Sequence, residues 1–206
     1  MGIDKSILES IFPTYGDVDL SKIQTDEEGL YSVSSKNVSK FICNIIKKYI
    51  RSTEYNNLII TDATAGIGGN TLSFILNYGI VNSVELNKER YNYLVYNVNL
   101  YGLQENVKFY CDDYTKILTK LNQDIVFIDP PWGGKNYKNN NLIDLTLSNI
   151  DLSIICNNLK TKSKLIVLKV PQNFNFKKFY SNIIYKFIHI HKLNKMDIIV
   201  IENYGN

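Results

Sequence analysis

The chain has 206 residues, of which 45% are hydrophobic and 21% charged, with a formal net charge of +3. This composition is typical of one globular domain with an appended segment, and it excludes a disordered chain. The three cysteines lie far apart and form no CxxC pair or Cys/His cluster, so neither a disulfide framework nor a zinc site is indicated. No apolar run approaches the roughly 20 residues that a membrane span needs. We therefore expect a protein of a reducing compartment that does not associate with membranes.

The charge is distributed unevenly along the chain. Residues 135–206 carry 11 Lys and 4 acidic residues, a balance of +7, whereas residues 1–134 carry 12 Lys and Arg and 16 acidic residues, a balance of −4. A basic C-terminal part indicates an anionic partner such as phosphate or nucleic acid. A solvated lysine-rich face would give the same balance, so charge alone leaves both interpretations open.

Residues 1–36 have weak periodicity and predict a short helical N-terminal extension that packs on the core. The helical spacing of apolar residues over 34–50 predicts a helix, and from residue 57 onward strand and helix patterns alternate. The predicted strands are 57–63, 80–86, 107–111, 124–129, 164–170, 183–193 and 196–204, and the further predicted helices are 69–79, 87–102, 114–121, 142–159 and 176–182. The alternation predicts an α/β domain over residues 37–206, in which a mostly parallel sheet carries helices on both faces and an antiparallel edge strand pair.

The stretch TDATAGIGGNT follows the first predicted strand and opens a helix. Gly66, Gly68 and Gly69 lack a Cβ, so the backbone can turn tightly and approach a ligand, and the helix start offers free N–H groups. The pattern predicts a nucleotide-type cofactor, but Thr71 breaks the G-x-G-x-x-G dinucleotide fingerprint. A carboxylate at Asp62 would repel a pyrophosphate and attract an ammonium group. The sequence therefore favours S-adenosylmethionine over NAD.

Acidic residues follow three successive predicted strands. Glu85 ends the second strand, about 20 residues past the glycine turn, where an acid usually holds ribose hydroxyls. Asp112 and Asp113 follow the third strand, where one of them could accept from an adenine amino group. Any one of these acids could equally be a helix cap or a loop residue. Acids at three successive strand ends nevertheless predict a ligand site at that edge of the sheet.

The fourth strand ends in Asp129-Pro130-Pro131-Trp132, and Trp132 is the only tryptophan. Methyltransferases that act on an exocyclic amine of a base carry a similar turn. Such an amine is a poor nucleophile, which improves when Asp129 and the Pro130 carbonyl accept its hydrogens. The indole can stack a base, and because it is the best aromatic partner for a cation, it favours a cationic 7-methylguanine over a neutral base. Taken alone, Trp132 would be interpreted as a loop aromatic packed on a helix, but its context argues against that.

Three stretches together resemble the trimethylguanosine synthase family, the RNA cap guanine-N2 methyltransferases. They are DEEGLYSVS at 26–34, DATAGIGGNT at 62–71, and PPWGG at 130–134 with Tyr137; VPQN at 170–173 is a weaker likeness. The resemblance implies a Rossmann-like class I S-adenosylmethionine-dependent methyltransferase. This enzyme would methylate N2 of 7-methylguanosine in an RNA 5′ cap, form S-adenosylhomocysteine and need no metal. We further expect a monomer in the nucleus or cytoplasm, with capped RNA or a cap nucleotide as its partner.

The resemblance also implies site residues. The catalytic residues would be Asp129, Pro130 and Trp132. The cofactor-binding residues would be Ser34, Asp62, Ala63, Thr64, Gly66, Gly68, Glu85, Asp112, Asp113 and Asp129. The substrate-binding residues would be Phe12, Asn97, Pro131, Trp132, Lys135, Lys138 and Lys169, with the lysines as candidate contacts to the cap phosphates.

The chain departs from the family pattern at two positions. Family members often have Ser where this chain has Asp129, and P-R-N where it has Pro171-Gln172-Asn173. Loss of that Arg removes a phosphate contact, for which lysines would substitute as point charges. Two alternatives stay open: methylation of another amine (adenine N6, guanine N2 in structured RNA, or a protein Gln), and a non-catalytic cap-binding subunit.

Overall fold

A computed structural model describes residues 3–50 and 58–203, except the side chain of Lys135. Its main sheet has seven strands in the order β3-β2-β1-β4-β7-β9-β8. These strands are β1 Ile59–Asp62, β2 Ile80–Val84, β3 Val107–Tyr110, β4 Ile125–Ile128, β7 Leu165–Pro171, β8 Phe187–Lys192 and β9 Met196–Glu202. Residue 57, where the first strand was predicted to begin, lies outside the described residues.

The sheet is parallel from β3 to β7, and β9 then runs antiparallel to both β7 and β8. This arrangement confirms the predicted α/β fold with its antiparallel edge pair. The strand order reverses between β1 and β4, which lie side by side at the centre of the sheet. In a sheet of this kind, ligands bind beyond the carboxyl ends of the strands at the point of reversal.

Eight α-helices accompany the sheet within the described residues. They are α1 Lys5–Ile11, α2 Glu27–Ser32, α3 Lys36–Tyr49, α4 Gly69–Tyr78, α5 Lys88–Leu100, α6 Tyr114–Ile117, α7 Leu152–Asn158 and α8 Phe176–Asn182. None of the helices that can be described is both long and apolar enough to cross a membrane.

Side chains of successive strand residues belong alternately to two separate hydrophobic clusters. On the fully buried β4, Ile125 and Phe127 join the cluster that contains side chains of α1, α3, α4 and α5, while Val126 and Ile128 join the cluster under α6, α7 and α8. This alternation follows from the two-residue period of a strand. Leu8 and Ile11 of α1 belong to the first cluster, so the N-terminal residues pack on the core.

The predicted helix over 142–159 is wrong in its first half. Residues Thr146–Leu147 (β5) and Ile150–Asp151 (β6) form a small antiparallel hairpin, and α7 begins only after it. Ser148 and Asn149 connect the strands with φ values of 50° and 63°. Positive φ at both central residues is what a two-residue hairpin turn needs, and it is incompatible with a continuous helix.

Candidate active site

A pocket lies where the loop after β1 meets the N-terminal segment. Its empty volume is about 360 Å3, a figure that includes space open to solvent. One side is formed by α2 and the residues after it, the other by the loop and the start of α4, and Asp129 joins them from the end of β4. The lining residues are Gly29, Ser32, Val33, Ser34, Thr64, Ala65, Gly66, Ile67, Gly69, Asn70 and Asp129.

The glycine loop is held in place by backbone hydrogen bonds and by one carboxylate. Gly66 and Gly68 have φ values of 55° and 99°, in the left-handed region that favours glycine. The Gly66 N–H donates to Glu85 Oε2 at 2.8 Å, and the Ala65 N–H donates to the Val84 carbonyl at 2.9 Å. The loop therefore has a fixed position relative to the end of β2.

Asp62 is fully buried beneath this loop. Its Oδ2 accepts a hydrogen bond from Thr71 Oγ1 at 2.7 Å, and the Thr71 hydroxyl also lies 2.8 Å from Ser83 Oγ. Its Oδ1 completes no hydrogen bond among the described residues, although the Thr64 backbone N–H lies near enough to favour the charged form. Burial, reinforced by nearby carboxylates, raises the pKa of Asp62 to about 7. A buried carboxylate with an unpaired oxygen suits a cationic ligand group.

The neighbouring Ala63 and Thr64 tie β1 to β4. Ala63 is buried, and its N–H donates to the Phe127 carbonyl at 2.9 Å. The Asp129 N–H in turn donates to Thr64 Oγ1 at 2.9 Å. The cofactor loop and the proline turn after β4 are therefore directly connected.

Glu85 is held by two backbone hydrogen bonds and a nearby arginine. Its Oε1 accepts from the Asn87 N–H at 2.8 Å, its Oε2 accepts from the loop, and Arg90 Nε lies 3.9 Å from Oε1. Arg90 also pairs through Nη1 with Glu28 Oε2 of α2 at 2.8 Å. A carboxylate has about four lone-pair positions, so Glu85 keeps acceptor capacity for hydroxyl groups of a ligand.

Asp112 and Asp113 follow β3 as predicted, and the structure distinguishes between them. Asp113 is buried, and its Oδ1 accepts from Thr115 N at 3.0 Å and Thr115 Oγ1 at 2.7 Å. Asp113 is therefore the N-cap of α6. Asp112 is exposed and accepts from the Asp113 N–H at 2.7 Å. Of the two acids, Asp112 is thus the one exposed to solvent.

Ser34 is buried at the pocket wall. Asn70 Nδ2 donates to Ser34 Oγ at 3.2 Å, and Ser39 Oγ donates to Asn70 Oδ1 at 2.8 Å. This chain of three side chains joins the segment after α2, the helix α3 and the helix α4. Asn70 was not predicted as a site residue, although the GGNT stretch that contains it was.

The proline turn brings Asp129 next to a buried lysine. Lys169 lies on β7 and is only 4% exposed, and its Nζ donates to Asp129 Oδ2 at 2.6 Å. The same Nζ lies 5.1 Å from the centroid of the Trp132 ring. Burial raises the pKa of Asp129, and Lys169 and the Trp132 indole oppose the rise. Lys169 is therefore in the interior, away from any surface that cap phosphates could reach.

Trp132 is half-buried and contacts a second aromatic side chain. The Tyr137 ring packs edge-on against it, with centroids 5.2 Å apart and an interplanar angle of 79°. The indole Nε1 is buried close to Asp129, and it has no hydrogen-bond partner among the residues that the structure describes. Pro130 is buried, whereas Pro131 is exposed.

The segment that carries Tyr137 is a short 3-10 helix, Gly134–Asn139. Asn173 Nδ2 fixes it by donating to the carbonyls of Tyr137 at 2.9 Å and Asn140 at 2.8 Å. Lys138 is exposed, with its Nζ 5.8 Å from the Tyr137 ring centroid, and the Lys135 side chain lies outside the described part of the chain. Lys138 is thus a predicted lysine that the structure places on the surface near Trp132.

The structure does not bring Phe12 and Asn97 to the pocket surface. Phe12 is fully buried in the hydrophobic cluster. Asn97 is also fully buried: its Oδ1 accepts from Gln24 N, and its Nδ2 donates to the carbonyls of Gln24 and Ile67, all at 2.9 Å. With both amide hydrogens used internally, Asn97 fastens the N-terminal segment to the glycine loop instead of reading a base edge.

The N-terminal segment fits against the loop without room for an added methyl group. A Cβ on Gly29 would come within 2.6 Å of Ile67 Cγ2, and a Cβ on Gly69 would come within 2.5 Å of Val33 Cγ2. Two predicted site residues, Phe12 and Ser34, came from this segment, and of these Ser34 lines the pocket. The DEEGLYSVS likeness was the sequence signal that could have identified Gly29 and Val33 as well.

Solved structures of other proteins have the same α/β fold as this chain. The human methyltransferase 10 domain containing protein has a TM-score of 0.65 at 14% identity, covering 89% of this chain and 88% of that chain. A putative methyltransferase from Porphyromonas gingivalis W83 has a TM-score of 0.63 at 16% identity, covering 91% of this chain and 45% of that chain. At such low identity, these structures establish a Rossmann-like methyltransferase fold and nothing more.

The fold and the family model together define a methyltransferase dependent on S-adenosylmethionine. The model, described as RNA cap guanine-N2 methyltransferase, matches residues 57–205, and the chain belongs to that family. Uncharacterized protein L320 of Acanthamoeba polyphaga mimivirus is 34% identical, covering 97% of this chain and 86% of the relative.

Two yeast trimethylguanosine synthases are also similar. The Saccharomyces cerevisiae protein is 25% identical over 77% of this chain, and the Schizosaccharomyces pombe protein is 29% identical over 60% of this chain. The matches span 51% and 52% of the two yeast proteins, so this chain corresponds to about half of each.

Proposed function

We propose that this protein transfers a methyl group from S-adenosylmethionine to the exocyclic N2 of 7-methylguanosine in an RNA 5′ cap. The observation that carries the proposal is the turn after β4, where the Asp129 carboxylate and the Trp132 ring lie together beside the pocket. We expect the protein to act as a monomer in the nucleus or cytoplasm. Membership of the cap methyltransferase family and the two yeast relatives support this choice of substrate.

The acids at the carboxyl ends of β1, β2 and β3, beside the pocket lining, fit the chemistry of S-adenosylmethionine, which supplies an electrophilic methyl group on sulfur. The unpaired Oδ1 of Asp62 suits an ammonium group, and Glu85 has acceptor capacity for ribose hydroxyls. Asp112 is the exposed acid for an adenine amino group. Among the described residues, no group of three His, Cys, Asp or Glu side chains could hold a metal ion.

Two oxygen atoms would accept hydrogen bonds from the acceptor amine. Asp129 and the Pro130 carbonyl accept the N2 hydrogens and direct the lone pair at the methyl carbon. As the N2–carbon bond forms and the carbon–sulfur bond breaks, the amine loses one proton, which leaves to water. Alignment of the reacting atoms supplies most of the rate gain, so no strong general base is required.

The base would stack on Trp132, and the opposite wall would come from α2. The Tyr31 hydroxyl of α2 lies near enough to Tyr137 to contribute, after burial, to raising the pKa of Tyr137. Exposed Lys138, together with Lys135, would meet the cap phosphates as point charges.

The acceptor assay for this proposal compares three nucleotides offered with labelled S-adenosylmethionine. We expect label on 7-methyl-GTP, almost none on GTP, and none on 7-methyl-ITP, which lacks the N2 amine. Equal labelling of GTP would contradict the requirement for a cationic base. Labelling of adenosine or uncapped RNA instead would favour another amine. Tight binding of 7-methyl-GTP without transfer would indicate a cap-binding subunit.

Cofactor affinity should increase with pH because of Asp62. The pKa of Asp62 is about 7, and an ammonium ligand favours the ionised form, which is about one-tenth populated at pH 6 and nine-tenths at pH 8. The affinity for S-adenosylhomocysteine should therefore rise about tenfold between these pH values, as calorimetry would measure.

The matched control for this pH dependence is Asp62→Asn, which keeps the shape of the side chain and removes the titration. It should bind S-adenosylhomocysteine more weakly at pH 8 and show little change down to pH 6. The same pH slope in the Asn variant would assign the titration to another group.

A further inference from the structure

The buried contact between Lys169 and Asp129 has no role in the function proposed above. We propose that Lys169 is a positioning residue: it holds one oxygen of Asp129 and one face of Trp132, and so leaves the other oxygen and the other face for the acceptor base. The identity of the acceptor base rests on the proposed function. The contacts of Lys169 with Asp129 and Trp132 do not depend on it, because they lie within the chain.

The pairing follows from the strand register. Phe127 on β4 lies opposite Val167 on β7, so two residues further along each strand Asp129 comes opposite Lys169 on the same face of the sheet. The N–O distance of 2.6 Å is that of a charge-assisted hydrogen bond. Since a buried ammonium is unfavourable unless paired, the carboxylate and the lysine stabilise each other in the charged state.

The position of Lys169 also determines what Asp129 can offer. An ionised carboxylate is only an acceptor, whereas a protonated one carries an O–H donor that the amine hydrogens cannot use. Burial alone would favour protonation, and Lys169 opposes it. Asp129 retains 14% side-chain exposure and lines the pocket, so it can still meet a ligand while one of its oxygens is held.

Lys169 also constrains the indole. Its ammonium lies over the Trp132 ring at 5.1 Å, and the Tyr137 ring meets the indole at a steep angle. A base must therefore stack on the ring face opposite Lys169. Together these contacts determine both where the base lies and where its amine points.

The charged groups around Asp129 come from several elements. Lys169 faces it from β7, the Trp132 indole from the turn itself, and Asp62 from β1, with Glu85 beyond Asp62. Lys169 is the cation in this set, and both other ionisable groups are acids. Its removal should therefore shift Asp129 toward protonation, because the remaining carboxylates disfavour another negative charge.

The test uses the fluorescence of Trp132, which is the only tryptophan in the chain and therefore reports on this cluster. In the ligand-free protein, Lys169→Met should move the acidic fluorescence transition up by about one pH unit or more, whereas Lys169→Arg should keep it near its original position. In methyl transfer to 7-methyl-GTP, Lys169→Met should lower kcat roughly 10- to 100-fold, with KM for S-adenosylmethionine nearly unchanged. An unaltered transition together with an unaltered kcat would overturn the proposal.

A second variant covers the case in which Lys169→Met does not fold. Asp129→Asn combined with Lys169→Met removes both charges, so it should fold and melt at a higher temperature than Lys169→Met. If the double variant were no more stable than Lys169→Met, Lys169 would act through packing and the proposal would fail. If Lys169→Met shifted the fluorescence transition but the wild-type protein methylated no cap nucleotide, the result would support the ion pair and contradict the proposed function.

Discussion

Replacing Trp132 with alanine should lower kcat/KM for 7-methyl-GTP about 100-fold or more while the affinity for S-adenosylhomocysteine stays within about twofold. Base stacking on an aromatic ring is worth ~1–3 kcal/mol, and loss of the ring also releases the acceptor from alignment. Trp132 does not line the pocket proposed for the cofactor, so the two effects separate. Steady-state kinetics and calorimetry would measure them.

The control is Trp132→Phe, which keeps an aromatic face but offers a weaker partner for a cation. It should retain more activity than the alanine variant and discriminate less strongly between 7-methyl-GTP and GTP. A parallel collapse of cofactor affinity in Trp132→Ala would show that the ring is structural rather than a stacking platform.

Gly69→Ala should lower the affinity for S-adenosylhomocysteine by about tenfold or more. The new methyl group would lie 2.5 Å from Val33 Cγ2, well inside ordinary contact, while the next neighbours are 3.9 Å away or further. Overpacking of this kind typically costs 1–3 kcal/mol. Since Val33 and Gly69 both line the pocket, relief of the clash would displace the N-terminal segment from the loop.

A second substitution at Val33 should restore the affinity lost in Gly69→Ala. Combining Gly69→Ala with Val33→Ala removes the clashing methyl group, so the double variant should regain most of the lost affinity. Val33→Ala alone should change the affinity little. If the double variant bound no better than Gly69→Ala, the effect would come from the loop backbone and not from its contact with the N-terminal segment.

The central strands, the glycine loop and the proline turn could be predicted because each is encoded locally. Buried strands are continuous apolar runs, Gly66 and Gly68 mark positive φ, and the Asp-Pro-Pro-Trp stretch follows directly on β4. The hairpin at Ser148 and Asn149 was missed because neither residue is a glycine, although both adopt positive φ. The apolar spacing around them happened to fit a helix.

The remaining differences concern contacts between distant segments. Asn97 and Phe12 were predicted to meet the substrate, but both are fully buried, and the hydrogen bonds of Asn97 to residue 24 become visible only in the folded chain. In the sequence, Lys169 is one of many lysines in a basic region. Its contact with Asp129 depends on the register of β4 against β7. Burial and pairing across 40 residues cannot be read from local sequence patterns.

Locating the methyl group on the product tests the proposed transfer to N2 of the cap guanine most directly. A capped RNA bearing 7-methylguanosine would be incubated with the protein and S-adenosylmethionine, then digested and analysed by mass spectrometry against synthetic standards. We expect a cap guanosine methylated at both N7 and N2, and no product from RNA with an unmethylated guanosine cap. A methyl group on any other atom, or equal transfer to the unmethylated cap, would contradict the proposed transfer.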